Sequence, residues 1–225
     1  MPRVFSRVLT AVLGAAVLAA GAGTAAFALG RYGNDISWPQ CGGAFPAKAG
    51  FGIVGVNGGR PFTQNPCLGP EWQWALSNKG APAYYMNLSN PGEADPAGYG
   101  AQAAAYALNY ASSVTGASSA ASHVWWIDVE TANTWSSSQA ANAAVVQGAL
   151  KYLKQHTSKS VGIYSTGYQW GVITGGVQLG APVWAAGASS AASAPSMCGT
   201  GFTGKPVKVV QYPAGSYDGD YRCHK

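Results

Sequence analysis

Two carboxylates set one residue apart, Asp128 and Glu130, close an apolar run of Val124, Trp125, Trp126 and Ile127. The run is short, β-branched and aromatic, and the small polar residues Thr131, Asn133 and Thr134 follow it. That pattern reads as a buried strand emerging at a rim. Side chains two apart on a strand share a face, so Asp128 and Glu130 are expected side by side. Like charges held that close raise at least one pKa, and partial burial raises it further. A held proton beside a carboxylate is the pair that cleavage of a glycosidic bond requires. The plainer reading is a strand end with two solvated acids. It loses ground because the whole chain has only eight acidic residues and two of them stand here.

The other acids divide. Asp35, in Asp35-Ile-Ser-Trp-Pro-Gln40, fits an active-site carboxylate beside a sugar-stacking Trp38 and fits equally an Asx-turn capping its own backbone. Asp218 and Asp220 lie near the C-terminus, and Asp218-Gly219 reads as a turn. Glu71, Glu93 and Asp95 stand in or beside helix starts, where negative charge is favoured. Gly162-Ile-Tyr-Ser-Thr-Gly167 has the wrong spacing for a nucleophile elbow, leaving Ser165 as a strand-end hydroxyl. Asn87-Leu-Ser89 is a glycosylation sequon at a strand end. The chain carries eight Trp and twelve Tyr, enough for both a core and a carbohydrate-binding groove. For Trp125 and Trp126 the alternation expects one ring inward and the other under the helices.

The four cysteines, Cys41, Cys67, Cys198 and Cys223, contain no Cys-x-x-Cys, and His123, His156 and His224 are scattered. An even cysteine count in an exported chain argues for disulfides, with no metal or other cofactor. Proximity in sequence favours Cys41 with Cys67 and Cys198 with Cys223. Export itself is read from residues 1–28. Arg3 and Arg7 form a basic start, Val8 to Ala20 is apolar, and Ala26-Phe27-Ala28 offers a cleavage site. The expected mature domain spans 29–225 and is secreted, with a charge that permits association with an anionic cell wall. Removing Arg3 and Arg7 takes the formal charge from +5 to +3. That is mildly basic and without a Lys/Arg run, so no nucleic-acid partner is indicated. After cleavage no stable membrane insertion is expected, and the chain is read as a monomer.

Positioning these residues falls to alternating elements. Strand patterns at Phe51 to Asn57, Ala83 to Leu88, Val124 to Glu130, Val161 to Ser165, Pro182 to Ala186 and Lys205 to Tyr212 are separated by helical stretches. Helices are expected over Pro70 to Lys79 and Pro96 to Ser113. A third is opened by a Ser136/Gln139 capping box, with Ala143, Val146, Leu150 and Leu153 on its buried face. Ala188 to Thr203 breaks the alternation as a loop held by a disulfide. The sum is an α/β fold, one domain, with a largely parallel sheet closed or nearly closed. Functional residues in such folds gather at the C-terminal strand ends, where Asp128 and Glu130 fall.

Taken in order, Asp35-Ile-Ser-Trp-Pro-Gln40, Phe51-Gly-Ile-Val54, Trp126-Ile-Asp-Val-Glu130, Gly162-Ile-Tyr-Ser165, Pro182-Val-Trp-Ala185 and Val210-Gln-Tyr212 with Asp220 resemble the glycoside hydrolase family 25 lysozymes. The resemblance implies a flattened, TIM-like β/α barrel. It also implies a peptidoglycan hydrolase cutting between N-acetylmuramic acid and N-acetylglucosamine. By that pattern Glu130 is the general acid. Asp128 orients the acetamido group or stabilises the oxocarbenium-like centre, and Asp35 and Asp220 complete a carboxylate floor. Trp38, Tyr85, Tyr164, Trp184 and Gln211 are the expected substrate contacts. Cys41 stands where the family has Gly, the Arg60 to Asn65 segment lacks an expected Asp, and Val183 to Gly187 lacks polar and aromatic residues after Trp-x-Ala. These departures mark a divergent member. Two other readings stay open: a catalytically idle barrel binding wall glycan or another exported protein, and a glycosidase on another polysaccharide.

Overall fold

The computed structural model describes residues 30–47 and 49–223, so the expected leader (1–28), His224 and Lys225 lie outside it. Eight strands close into one barrel in sequence order. They are β1 (Tyr32–Ile36), β2 (Gly52–Gly55), β3 (Ala83–Asn87), β4 (Val124–Asp128), β5 (Val161–Ser165), β6 (Val183–Ala186), β7 (Val207–Ala214) and β8 (Tyr217–Arg222). Neighbours from β1 to β7 run parallel, while β8 is antiparallel to both β7 and β1. The expectation of a closed α/β barrel is borne out.

Strand β8 is a correction. Asp218-Gly219 reads as a turn in sequence, yet the turn lies just before the strand that holds it, where Gly215 takes φ 73°. The segment is extended because β1 and β7 pair with it on both sides and satisfy its backbone groups.

Five α-helices cover the barrel: α1 (Leu68–Leu76), α2 (Pro96–Thr115), α3 (Ala117–Ser122), α4 (Gln139–His156) and α5 (Gly167–Thr174). Helix α1 stops short of Lys79 because Ser77 Oγ and Asn78 Nδ2 both donate back to the Trp74 carbonyl. Helix α2 begins as expected, with Asp95 accepting from the Gly98 N–H at 3.0 Å. Helix α4 is capped by Ser138, which accepts from Ala141 N at 3.2 Å. The expected capping box from Ser136 does not form, because the Ser136 hydroxyl is engaged with Asn142 at 3.0 Å. Helices α3 and α5 were not expected. Both are short, and α5 rests on a Thr166 cap and a left-handed Gly175.

Alternation along the strands sorts the core into two layers. Phe51, Ile53, Trp126, Tyr164, Trp184 and Val209 fill the barrel interior, while Tyr84, Trp125, Ile127 and Ile163 face the helices. The Trp125/Trp126 expectation therefore holds. Outside, Trp72, Tyr84 and Trp125 stack at centroid separations of 4.0 and 4.9 Å. The Trp125 indole N–H finds the Ala120 carbonyl at 2.8 Å, which anchors α3.

Helices α2 and α4 meet backbone to backbone. A Cβ at Gly100 would fall on the Val145 carbonyl, and one at Gly148 on the Ala97 carbonyl. Disulfides join Cys41 to Cys67 and Cys198 to Cys223, the pairing that proximity favoured. The second one holds the loop after β6, which contains a 3-10 turn at Ala194–Met197, against the end of β8. No described helix is long and apolar enough to cross a membrane.

Candidate active site

Because β8 runs against the other strands, its N-terminal half lies at the mouth formed by the C-terminal ends of β1 to β7. Register sets Asp218 opposite Asp35 and Asp220 opposite Gly33. Residues directly opposite in an antiparallel pair share a face, so all three acids point inward. Asp128 ends β4 and Glu130 follows two residues on. Five of the eight acids in the chain thus meet at one mouth. Asp218, read in sequence as a turn residue, belongs to this group.

Each carboxyl has a distinct environment. Asp128 is buried, and the Asn87 amide donates to its Oδ2 across the β3–β4 register. Its Oδ1 is buried with no protein donor among the described residues. Asn87 is itself clamped, because Asn57 donates to its carbonyl at 2.9 Å and accepts from its N–H at 3.1 Å. Asp35 accepts from Gln211 Nε2 at 3.0 Å. Gln211 must therefore turn its Oε1 away, and that oxygen accepts from the Tyr164 hydroxyl at 2.7 Å.

The Tyr164 hydroxyl also donates toward Glu130 Oε1, at 3.4 Å, a longer contact than the one to Gln211. On its other side Glu130 meets the Gln169 amide, whose carbonyl is fixed by the Thr131 N–H at 2.6 Å and hydroxyl at 2.8 Å. The Trp135 indole holds the Glu130 carbonyl at 2.7 Å.

These surroundings hold protons on. Burial raises the Asp35 pKa to about 7, with the Asp218 charge adding and the Gln211 amide opposing. Burial, then the charges of Glu130 and Asp35, push Asp128 well above the usual carboxylate range. Glu130 is raised by burial and restrained by Gln169 and Tyr164. Asp220, fully buried, is pushed far up by burial and by Asp35. Like charges in so small a volume cannot all ionise, so the mouth keeps protons near neutrality.

The expected substrate contacts separate by depth. Trp38 sits on the 3-10 turn after β1 and is 48% exposed, so one ring face is open at the rim. Tyr85 is half-buried beside Ser37 and Asp35. Tyr164 and Gln211 form the hydrogen-bonded link between Glu130 and Asp35. Trp184 and Asp220 lie beneath the surface. The Trp184 indole donates to Asp220 Oδ1 at 2.8 Å, and the pair forms the floor. Glu71 stands in the first turn of α1, as its sequence position suggested, but is fully buried, with Asn65 Nδ2 donating to Oε2 at 2.6 Å. The residues that sequence missed as members of the mouth are Asn87, read only as a sequon, Asp218, read as a turn, and Gln169, which carries no motif. A strand-register argument alone could have found Asn87.

A family model described as Lysozyme-like protein 1 matches residues 94–195, the stretch that holds Asp128 and Glu130. No curated protein matches the chain in sequence. Solved structures similar to it include a family GH25 lysozyme from Aspergillus fumigatus, at TM-score 0.62 and 16% identity over 85% of this chain and 93% of that one. A muramidase from Trichobolus zukalii matches at TM-score 0.61 and 16% identity over 87% and 94%. A bacterial lysozyme from Streptomyces coelicolor follows at 0.58 and 15% over 85% and 91%. At such identities the likeness shows the fold. The chain has the closed barrel of these solved structures, and its residues 94–195 are similar to the lysozyme-like family model.

Proposed function

We infer that the protein hydrolyses peptidoglycan, cleaving the glycosidic bond between N-acetylmuramic acid and N-acetylglucosamine. One observation carries this reading. At the mouth, Glu130 is part-exposed, holds its proton above the usual carboxylate range and adjoins the buried Asp128. Glu130 gives its proton to the glycosidic oxygen as the bond to the anomeric carbon breaks. The positive charge that develops on the sugar ring is stabilised by the neighbouring carboxyls. Water completes the hydrolysis, and Glu130 is protonated again.

The unpartnered Asp128 Oδ1 suits the N–H of an acetamido group, which would satisfy a buried acceptor and orient the sugar. Trp38 offers an open ring to an apolar sugar face. The two disulfides support an oxidising, extracellular location, in keeping with the leader read from residues 1–28.

Glu130→Gln tests the assignment. The amide keeps the shape and hydrogen-bonding capacity but has no proton to give. Release of reducing ends from purified wall should fall at least on the order of 10²-fold, with sedimentation on insoluble wall retained. A variant that hydrolyses at the wild-type rate places the acid elsewhere. If wild type and variant both sediment and neither releases fragments, the barrel is a binder of wall glycan.

A further inference from the structure

The barrel has a second opening. At the N-terminal ends of the parallel strands, opposite the acids, lies a cavity of about 460 Å³, within the range of small-molecule sites. Its walls are apolar, with Phe51, Ile53, Trp126 and Val209 among them. The interior rings of Trp126, Tyr164 and Trp184, in contact at centroid separations of 5.9 and 4.5 Å, separate it from the catalytic mouth.

Among the described residues the charge here is of one sign: Lys159, Lys208 and Arg222 line the cavity, and no acidic side chain does. Arg222 stands two residues beyond Asp220 on β8, with its guanidinium carbon 4.1 Å above the Phe51 ring centroid. A guanidinium offers five N–H donors. Among the described residues the side chain makes one hydrogen bond, a long one from Nη2 to the Ala81 carbonyl at 3.4 Å, and no ion pair. Gly80 leaves room beside it, since a Cβ there would come within 3.2 Å of Nη1.

We propose that this opening binds an amphipathic anion, a single alkyl or acyl body ending in a carboxylate or a similar head. The apolar walls would take the body, and Arg222, flanked by Lys159 and Lys208, would meet the head. A sugar fits poorly, because the walls offer few polar groups to its hydroxyls. An amphipathic cation would meet three like charges. The site is separate from the carboxylate mouth and requires nothing of the hydrolytic reading.

Sodium decanoate is the probe, titrated below its micelle concentration into the purified, disulfide-bonded protein by calorimetry and by tryptophan fluorescence, since Trp126 is in the wall. Decyltrimethylammonium and decan-1-ol carry the same chain without the anionic head. The expected result is saturable 1:1 binding of decanoate, much weaker binding of the alcohol and none of the cation. The Lys159→Glu/Lys208→Glu double variant should weaken decanoate at least about tenfold, with melting temperature and wall hydrolysis unchanged. Ala81→Trp, at the rim, should block the probe by bulk. Absence of saturation, equal binding of the cation, or unchanged affinity in the double lysine variant would each overturn the proposal.

Discussion

Glu71 puts a titratable charge where the fold offers it almost nothing. The side chain is fully buried, one oxygen accepts from Asn65 Nδ2, and Oε1 has no partner among the described residues. Burial raises its pKa from 4.5 to about 7, with the Asn65 hydrogen bond opposing. Between those two values the folded chain binds more protons than the unfolded one, so stability falls as pH rises. The contribution is fully present below about 4.5 and lost as pH climbs through 7. Integrated from pH 5 to pH 8, the loss is about 2.5 kcal/mol. Glu71→Gln removes the titration but keeps the volume. Whatever packing or hydrogen-bonding cost it carries is nearly the same at both pH values. Urea melts of both proteins at pH 5 and pH 8 therefore isolate the charge. The variant should gain about 2.5 kcal/mol relative to wild type between the two conditions. A relative change below about 0.5 kcal/mol, the scatter of ordinary surface substitutions, would show that Glu71 is solvated or already ionised.

Asn87→Ala leaves Asp128 without its protein donor; wall hydrolysis should drop by about 10- to 100-fold, the scale of a hydrogen bond to a charged group, while the melting temperature stays near wild type. Wild-type activity should fall on the alkaline side as Glu130 loses its raised proton. Tyr164→Phe should move that limb to higher pH, because the hydroxyl acts to lower the Glu130 pKa; a limb that stays put would detach Tyr164 from the acid. Replacing Cys198 and Cys223 together with serine opens a loop with a sequence separation of 25 and should cost about 3.5 kcal/mol in chain entropy, read from denaturant melts.

The site was legible where chemistry and local pattern coincide. The apolar run into Asp128 and Glu130 announces both the strand and its emergence, and the Trp125/Trp126 alternation follows from the same period. Asp35 could not be placed locally, since an Asx-turn and an inward-facing carboxylate look alike until Gln211 arrives from the far end of the chain. Strand β8 was hidden because its Asp-Gly-Asp composition has poor strand propensity, which pairing on both edges overrides. Asp218 went missing with it. The burial of Glu71 was hidden because a first-turn acid is ordinarily solvated, and nothing nearby signals that Asn65 folds back over it. Gln169 rides on a helix too short to show a period.

The meeting of α2 and α4 through Gly100 and Gly148 bears on how this chain can change over time. Two helices whose peptide planes touch behave as one plate, and the plate links β3 to β4 and β4 to β5 in sequence. A single added methyl at either glycine must lever the plate open. The strands beneath it carry Asn87, Asp128 and Tyr164. Tolerance to mutation should therefore be lowest in the blandest part of the sequence, the Ala- and Gly-rich helices. The loops around the mouth carry no such constraint and remain free to drift.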